Sequence, residues 1–84
     1  MKNDITVYGA DWCGDTVRTL RHLDSKKMEY RYINIDEDEV GEKKVIEFNK
    51  GKRRIPMVEV ASETLAVPSD AELDRVLVKS SASN

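Results

Sequence analysis

A β-α-β arrangement is written into the first 35 residues. The stretch "DITVYG" (4–9) alternates Ile5 and Val7 with Thr6 and Tyr8 and is rich in β-branched and aromatic side chains, so it reads as a strand ending at Gly9. From Cys13 to about Ser25 the period changes. Val17, Leu20 and Leu23 recur at three-residue spacing, which gives one apolar helical stripe with Arg18, Arg21 and Asp24 outside it. "EYRYINI" (29–35) returns to alternation, with Tyr30 and Tyr32 on one face and Ile33 and Ile35 on the other. This order predicts parallel pairing of the two strands through a right-handed crossover.

The remaining elements follow in the same manner. "DEDEV" offers Asp36 or Asp38 as an N-cap with acids in the first turn, and Val40, Val45, Ile46 and Phe48 carry a second helix, through Gly41, to Asn49–Gly51. "MVEVA" (57–61) alternates as a third strand, and "TLAV" (64–67) is a short fourth, joined to it by a turn at Ser62 and Glu63. In "PSDAELDRVL", Ser69 is an N-cap, Glu72 completes a capping box, and Leu73, Val76 and Leu77 form the stripe of a third helix. The closing "KSSASN" reads as a frayed tail. The expectation is an α/β fold of order β-α-β-α-β-β-α: a mixed four-stranded sheet flanked by three helices, one domain over 1–79 with a tail at 80–84.

Composition narrows the function. With 84 residues, 39% hydrophobic and 36% charged, the chain supports one small core. Its 14 basic residues are spread among 16 acidic ones for a net charge of −2, which argues against nucleic acid as a partner. It has no run of 18 apolar residues and no apolar stretch of a signal peptide at "MKNDITVYG", so a cytoplasmic monomer without membrane partners is expected. One cysteine cannot make an internal disulfide, and one His with one Cys cannot make a closed zinc site from such ligands alone.

That cysteine, Cys13, falls between a strand and a helix, where unpaired N–H groups and the positive dipole end favour a thiolate. Asp11 and Asp15 on either side oppose a further anion. Position alone leaves two readings open, a nucleophile and a small buried hydrophobe, and Trp12 equally suits packing.

Strand, "WCGDT", helix and, some forty residues later, "NKGKRRIPMVEV" together resemble the glutaredoxin family of the thioredoxin fold over nearly the whole chain. "WCGDT" and "VPS" look similar to the "WCGYC" and "NPS" segments of the actinobacterial mycoredoxins. The resemblance implies Cys13 as nucleophile, with Thr16 where a second Cys or Ser would stand. It implies a cis proline at Pro56, with Ile55 offering its backbone to a thiol ligand and Arg54 in place of the family's threonine. By itself Pro56 reads as an ordinary trans proline opening a strand, and "KGKRR" as a solvated loop. The resemblance instead makes Lys52, Arg53 and Arg54 receptors for a carboxylate of glutathione, and Ser69 and Asp70 the place where backbone N–H groups receive the other. Ser69 is explained equally well as an N-cap.

Two departures shape the expected chemistry. Thr16 removes the resolving cysteine, so monothiol exchange remains, with glutathione or mycothiol as co-substrate, oxidised or thiolated proteins as partners and no tightly bound cofactor. Ala10 stands where the family often has lysine, and "CGDT" carries half of the Cys-Gly-Phe-Ser signature of the iron–sulfur-binding class. The alternative functions are a non-catalytic binding module of the same fold and an iron–sulfur carrier. His22, about nine residues beyond Cys13 on the helix, is too far along the axis to act as its base.

Overall fold

A computed structural model describes residues 4–61 and 63–82. These form β1 (Ile5–Gly9), α1 (Gly14–Ser25), β2 (Arg31–Asn34), α2 (Glu39–Phe48), β3 (Met57–Val60), β4 (Glu63–Ala66) and α3 (Asp70–Ala82). The sheet order is β2-β1-β3-β4. β1 and β2 are parallel, with Tyr8 beside Ile33 and Gly9 beside Asn34, as the short crossover through α1 requires. β3 runs antiparallel to β1, with Tyr8 opposite Met57, and β4 antiparallel to β3, with Met57 opposite Ala66. The fold is the expected α/β, thioredoxin-like arrangement, a mixed sheet flanked by helices.

The register decides which loops meet. β1, β2 and β4 point the same way, so the segments that follow them, and the one that enters β3, gather at one end of the sheet. Each of α1, α2 and α3 begins at that end, because each follows one of those strands. Two bonds tie it together: Ile35 donates its N–H to Gly9 O (2.9 Å), and Val67 donates to Pro56 O (2.8 Å). Val67 adopts a φ of +47°, a left-handed conformation costly for a β-branched residue. Lys27, before β2, and Ala61, after β3, are also left-handed and lie at the opposite end, and Lys50, just past α2, is left-handed as well.

Alternation in the strands gives the sheet two apolar faces. On one, Ile5, Val7, Val58 and Val60 pack with Leu23 of α1 and with Leu73 and Leu77 of α3, and Tyr30, Tyr32, Leu65 and Val76 close the edges. On the other, Tyr8, Ile35, Val45 and Met57 pack under α2 with Ile33 and Ile55. Gly41 allows α2 to lie this close, since a Cβ there would stand 2.8 Å from Ile33 Cγ2. The second face ends in a polar cluster, in which Lys44 donates to the Tyr8 hydroxyl (3.1 Å) and Tyr8 donates to Glu59 Oε1 (3.1 Å).

Several boundaries differ from expectation. Cys13 is the N-cap of α1 and Gly14 its first residue. Of the two expected candidates, Asp38 caps α2 and accepts from the Gly41 N–H (2.9 Å), which releases Asp36 for a different role. Val40, expected in the apolar stripe, is 76% exposed because it lies in the first turn and faces away from the sheet, and Phe48 is exposed at the other end of α2. The second strand spans four residues instead of seven. Glu63 belongs to β4, where it pairs with Val60, and the expected turn residue Ser62 lies outside the described residues. α3 continues through Ser80 and Ser81 to Ala82, past the expected end at 79, because nothing there breaks it; residues 83–84 of the expected tail lie outside the described residues.

α1 and α2 end in the same backbone motif. Lys27 donates to Asp24 O and Met28 to Leu23 O; Lys50 donates to Glu47 O and Gly51 to Ile46 O. Each is a Schellman closure in which lysine takes the left-handed position that glycine usually fills.

Candidate active site

Cys13 stands at the head of α1, partly exposed, with extended backbone (φ −85°, ψ 118°). Its N–H donates to Ala10 O (3.1 Å) and its carbonyl accepts from Val17 (3.0 Å), so the residue is held on both sides. An N-cap side chain lies beside the first unpaired N–H groups of its helix, a setting that favours negative charge. The Ile55–Pro56 peptide is cis, as expected. Because Met57 pairs with Tyr8, the register brings Ile55 and Pro56 alongside Ala10 and Gly9, next to the loop that carries Cys13. Pro56 is buried and Ile55 half-buried.

The acids flanking Cys13 each have another partner. Asp11 accepts a hydrogen bond from the Tyr32 hydroxyl (2.7 Å), and Asp15 lies 3.7 Å from Arg18 Nε. Burial first, then the Asp11 bond, pushes the Tyr32 phenol far above its ordinary value. Asp11 and Tyr32 also form one wall of a cleft of about 400 Å³ lined by Ile33, Asn34, Glu37 and Asp38. Thr16, where a second cysteine would stand, is fully buried, and its Oγ1 accepts the Ala10 N–H (3.4 Å).

Trp12 and Arg53 meet through Asp36. The exposed Trp12 indole donates its Nε1–H to Asp36 Oδ2 (2.7 Å), Arg53 donates to Asp36 Oδ1, and Arg53 Nε–H donates to Glu42 Oε2 (2.8 Å). This chain links the Cys13 loop, the start of α2 and the loop before β3. The Trp12 bond, followed by Arg53, holds the Asp36 carboxyl below the usual carboxylate range. Lys52 and Arg54 are exposed and make no ion pair among the described residues.

The start of α3 is closed by its capping box. Ser69 N–H donates to Glu72 Oε1 (2.9 Å), and Glu72 N–H donates to Ser69 Oγ (3.1 Å), which lowers the Glu72 carboxyl. The Asp70 carboxylate receives Arg18 NH1 (2.6 Å), while Arg18 NH2 donates to Pro68 O (3.2 Å). One turn on, His22 Nε2 lies 2.6 Å from Asp74 Oδ1 and Lys26 Nζ 3.3 Å from the same oxygen. Arg18 and His22 on α1 and Lys26 just past its end recur at four-residue spacing and face Asp70 and Asp74 at the same spacing on α3. His22, too far along the helix to serve Cys13 as a base, instead joins α1 to α3.

The expected site residues Trp12, Cys13, Lys52, Arg53, Arg54, Ile55, Pro56, Ser69 and Asp70 all belong to segments at one end of the sheet, with Thr16 beneath them. Asp36, Glu42, Arg18 and Tyr32 were not anticipated. Their charges and hydroxyl were visible, but no sequence pattern links residues 12, 36, 42 and 53.

Comparison with known proteins agrees with this arrangement. Residues 5–65 match the family model described as glutaredoxin. Mycoredoxin 1 of Corynebacterium glutamicum is 35% identical over 72 residues, covering 84% of this chain and 89% of that protein. The glutaredoxin of Archaeoglobus fulgidus superposes with a TM-score of 0.73 at 22% identity, over 89% of this chain and 86% of the other. A buckwheat glutaredoxin–glutathione complex superposes with a TM-score of 0.71 at 21% identity, over 95% and 81%. With a family model spanning most of its length, a relative this similar and a cysteine heading α1 beside a cis proline, the chain belongs to the glutaredoxin family.

Proposed function

We propose that the chain is a monothiol oxidoreductase that exchanges mixed disulfides between proteins and a low-molecular-weight thiol. Family membership supports a thiol–disulfide oxidoreductase type of function. The observation that carries the finer reading is the placement of Cys13: a partly exposed sulfur at the head of α1, with Thr16 in place of a second cysteine.

In the first step the Cys13 thiolate attacks the small-thiol sulfur of a protein–S–S–R disulfide. The Cys13–SR bond forms, the protein sulfur departs as a thiolate and takes a proton from water. In the second step a thiolate RS⁻ attacks the sulfur of the bound R group, releasing RSSR and restoring the Cys13 thiolate. The Ile55 backbone edge beside cis Pro56 supplies hydrogen bonds for an extended ligand, and Lys52 and Arg54 supply positive charge for a carboxylate. The thiol is glutathione or mycothiol, the former present in the buckwheat complex and the latter suggested by the mycoredoxin relative.

The test is reduction of a glutathionylated peptide by wild-type protein and by Cys13→Ser, repeated with the mycothiol adduct. Turnover that is lost in Cys13→Ser is the expected result. Absence of turnover with both adducts would leave the protein a binding module.

A further inference from the structure

Arg53 is held at the reactive end by two carboxylates. Two of its donor positions are engaged by carboxylates from different elements, Glu42 on α2 and Asp36 in the loop before it. Asp36 is itself anchored, since Trp12 Nε1 holds its other oxygen at 2.7 Å. A carboxylate that swings freely would yield its cation to a ligand at little cost, whereas one pinned from its far side competes with the ligand. An incoming carboxylate therefore meets a guanidinium whose charge two fixed anions have already matched. Lys52 and Arg54, exposed on either side of Arg53, carry no such partners among the described residues.

We infer that Asp36 and Glu42 are specificity-determining residues: by retaining Arg53 they weaken capture of carboxylate-bearing thiols relative to uncharged ones. This rests on the oxidoreductase reading above and adds a rule for which small thiol the groove accepts. Trp12 takes part by holding Asp36 in place, although its ring stays 69% exposed. Asn and Gln at positions 36 and 42 retain an oxygen that accepts a hydrogen bond and remove the charge, so they release Arg53 without emptying the site.

The experiment measures KM for two mixed disulfides of one peptide, with glutathione and with uncharged 2-mercaptoethanol, each recycled by its own thiol. Relative to wild type, the D36N/E42Q double variant is expected to lower KM for the glutathionyl adduct by about three- to fivefold, the range of an exposed ion pair, and to leave the hydroxyethyl adduct unchanged. Adding R53Q should remove the gain. An unchanged or higher glutathionyl KM, an equal fall for both adducts, or a gain that survives R53Q would overturn the inference. Binding of S-methylglutathione to the same variants, followed by calorimetry in a Cys13→Ser background, gives a readout without turnover. If wild type turns over neither adduct, the oxidoreductase reading fails, while tighter binding by D36N/E42Q that R53Q reverses would still support the carboxylate rule and its absence would end it.

Discussion

Gly9 and Thr16 meet with no room for a methyl group between them: a Cβ on Gly9 would lie 2.4 Å from both Cγ2 and Oγ1 of Thr16. The contact joins the last residue of β1 to the first turn of α1 and so fixes how far the Cys13 loop stands from the sheet. Gly9→Ala should destabilise the fold by about 1–3 kcal/mol, the usual cost of overpacking a buried site. Thr16→Ala should recover part of that loss, so that urea titrations of the two single variants and the double show a coupling between them. Strict additivity would mean that the two residues do not sense each other.

Thr16→Cys should convert the protein to dithiol chemistry. Position 16 lies one helical turn beyond Cys13, a separation that a disulfide spans at the start of a helix. Oxidation should then consume both thiols, and the variant should reduce a protein disulfide without a small thiol, the introduced sulfur resolving the mixed disulfide between Cys13 and the substrate and closing an internal one. Two free thiols persisting after mild oxidation would show that the buried position cannot reach Cys13.

The order of elements was legible because each rests on local periodicity, from the alternation of Ile5 and Val7 to the stripe of Val17, Leu20 and Leu23. The cysteine's place at a strand–helix junction followed from the same signals. What escaped the sequence was the choice of partner among many charges. Asp36 and Asp38 are equivalent as N-caps on paper; only the path of the chain gives Asp38 to Gly41 and Asp36 to Trp12 and Arg53. Val40 fits an apolar stripe by spacing, yet it is exposed, and its neighbour Gly41 is the residue of that turn that lies against Ile33 and Tyr8. Nothing in "TLAVPS" announces that Val67 takes a left-handed conformation, since β-branched residues rarely do.

Lys27→Gly and Lys50→Gly should each stabilise the protein by up to about 1 kcal/mol, the strain relieved when a left-handed position loses its Cβ. Both residues have φ of 56° in otherwise regular helix closures. Thermal melts of the single variants and the pair should rise in near-additive steps, because the sites close different helices. A lower melting temperature in either would show that the lysine side chain contributes more than its backbone costs.

Stability should fall in alkali. Tyr8, Tyr30 and Tyr32 are all raised above their ordinary value of 10.0, with burial the largest cause in each. The folded protein keeps phenolic protons that the unfolded chain gives up near pH 10, so this stabilisation is full below that pH and is lost as pH rises toward the folded values. Guanidinium midpoints should therefore drop above about pH 10, and less steeply in Tyr32→Phe. Tyrosinate absorbance that develops near pH 10 with no loss of fold would contradict this.

The helices all start at one end of the sheet; β1 begins at the other, and α3 reaches it where Lys79 pairs with Glu63 at the start of β4 (2.9 Å). The described chain thus enters and leaves on the side remote from Cys13. A tether, a fused domain or a solid support attached there leaves the sulfur facing outward, so the module can be joined to larger assemblies or electrodes without covering the atom that reacts.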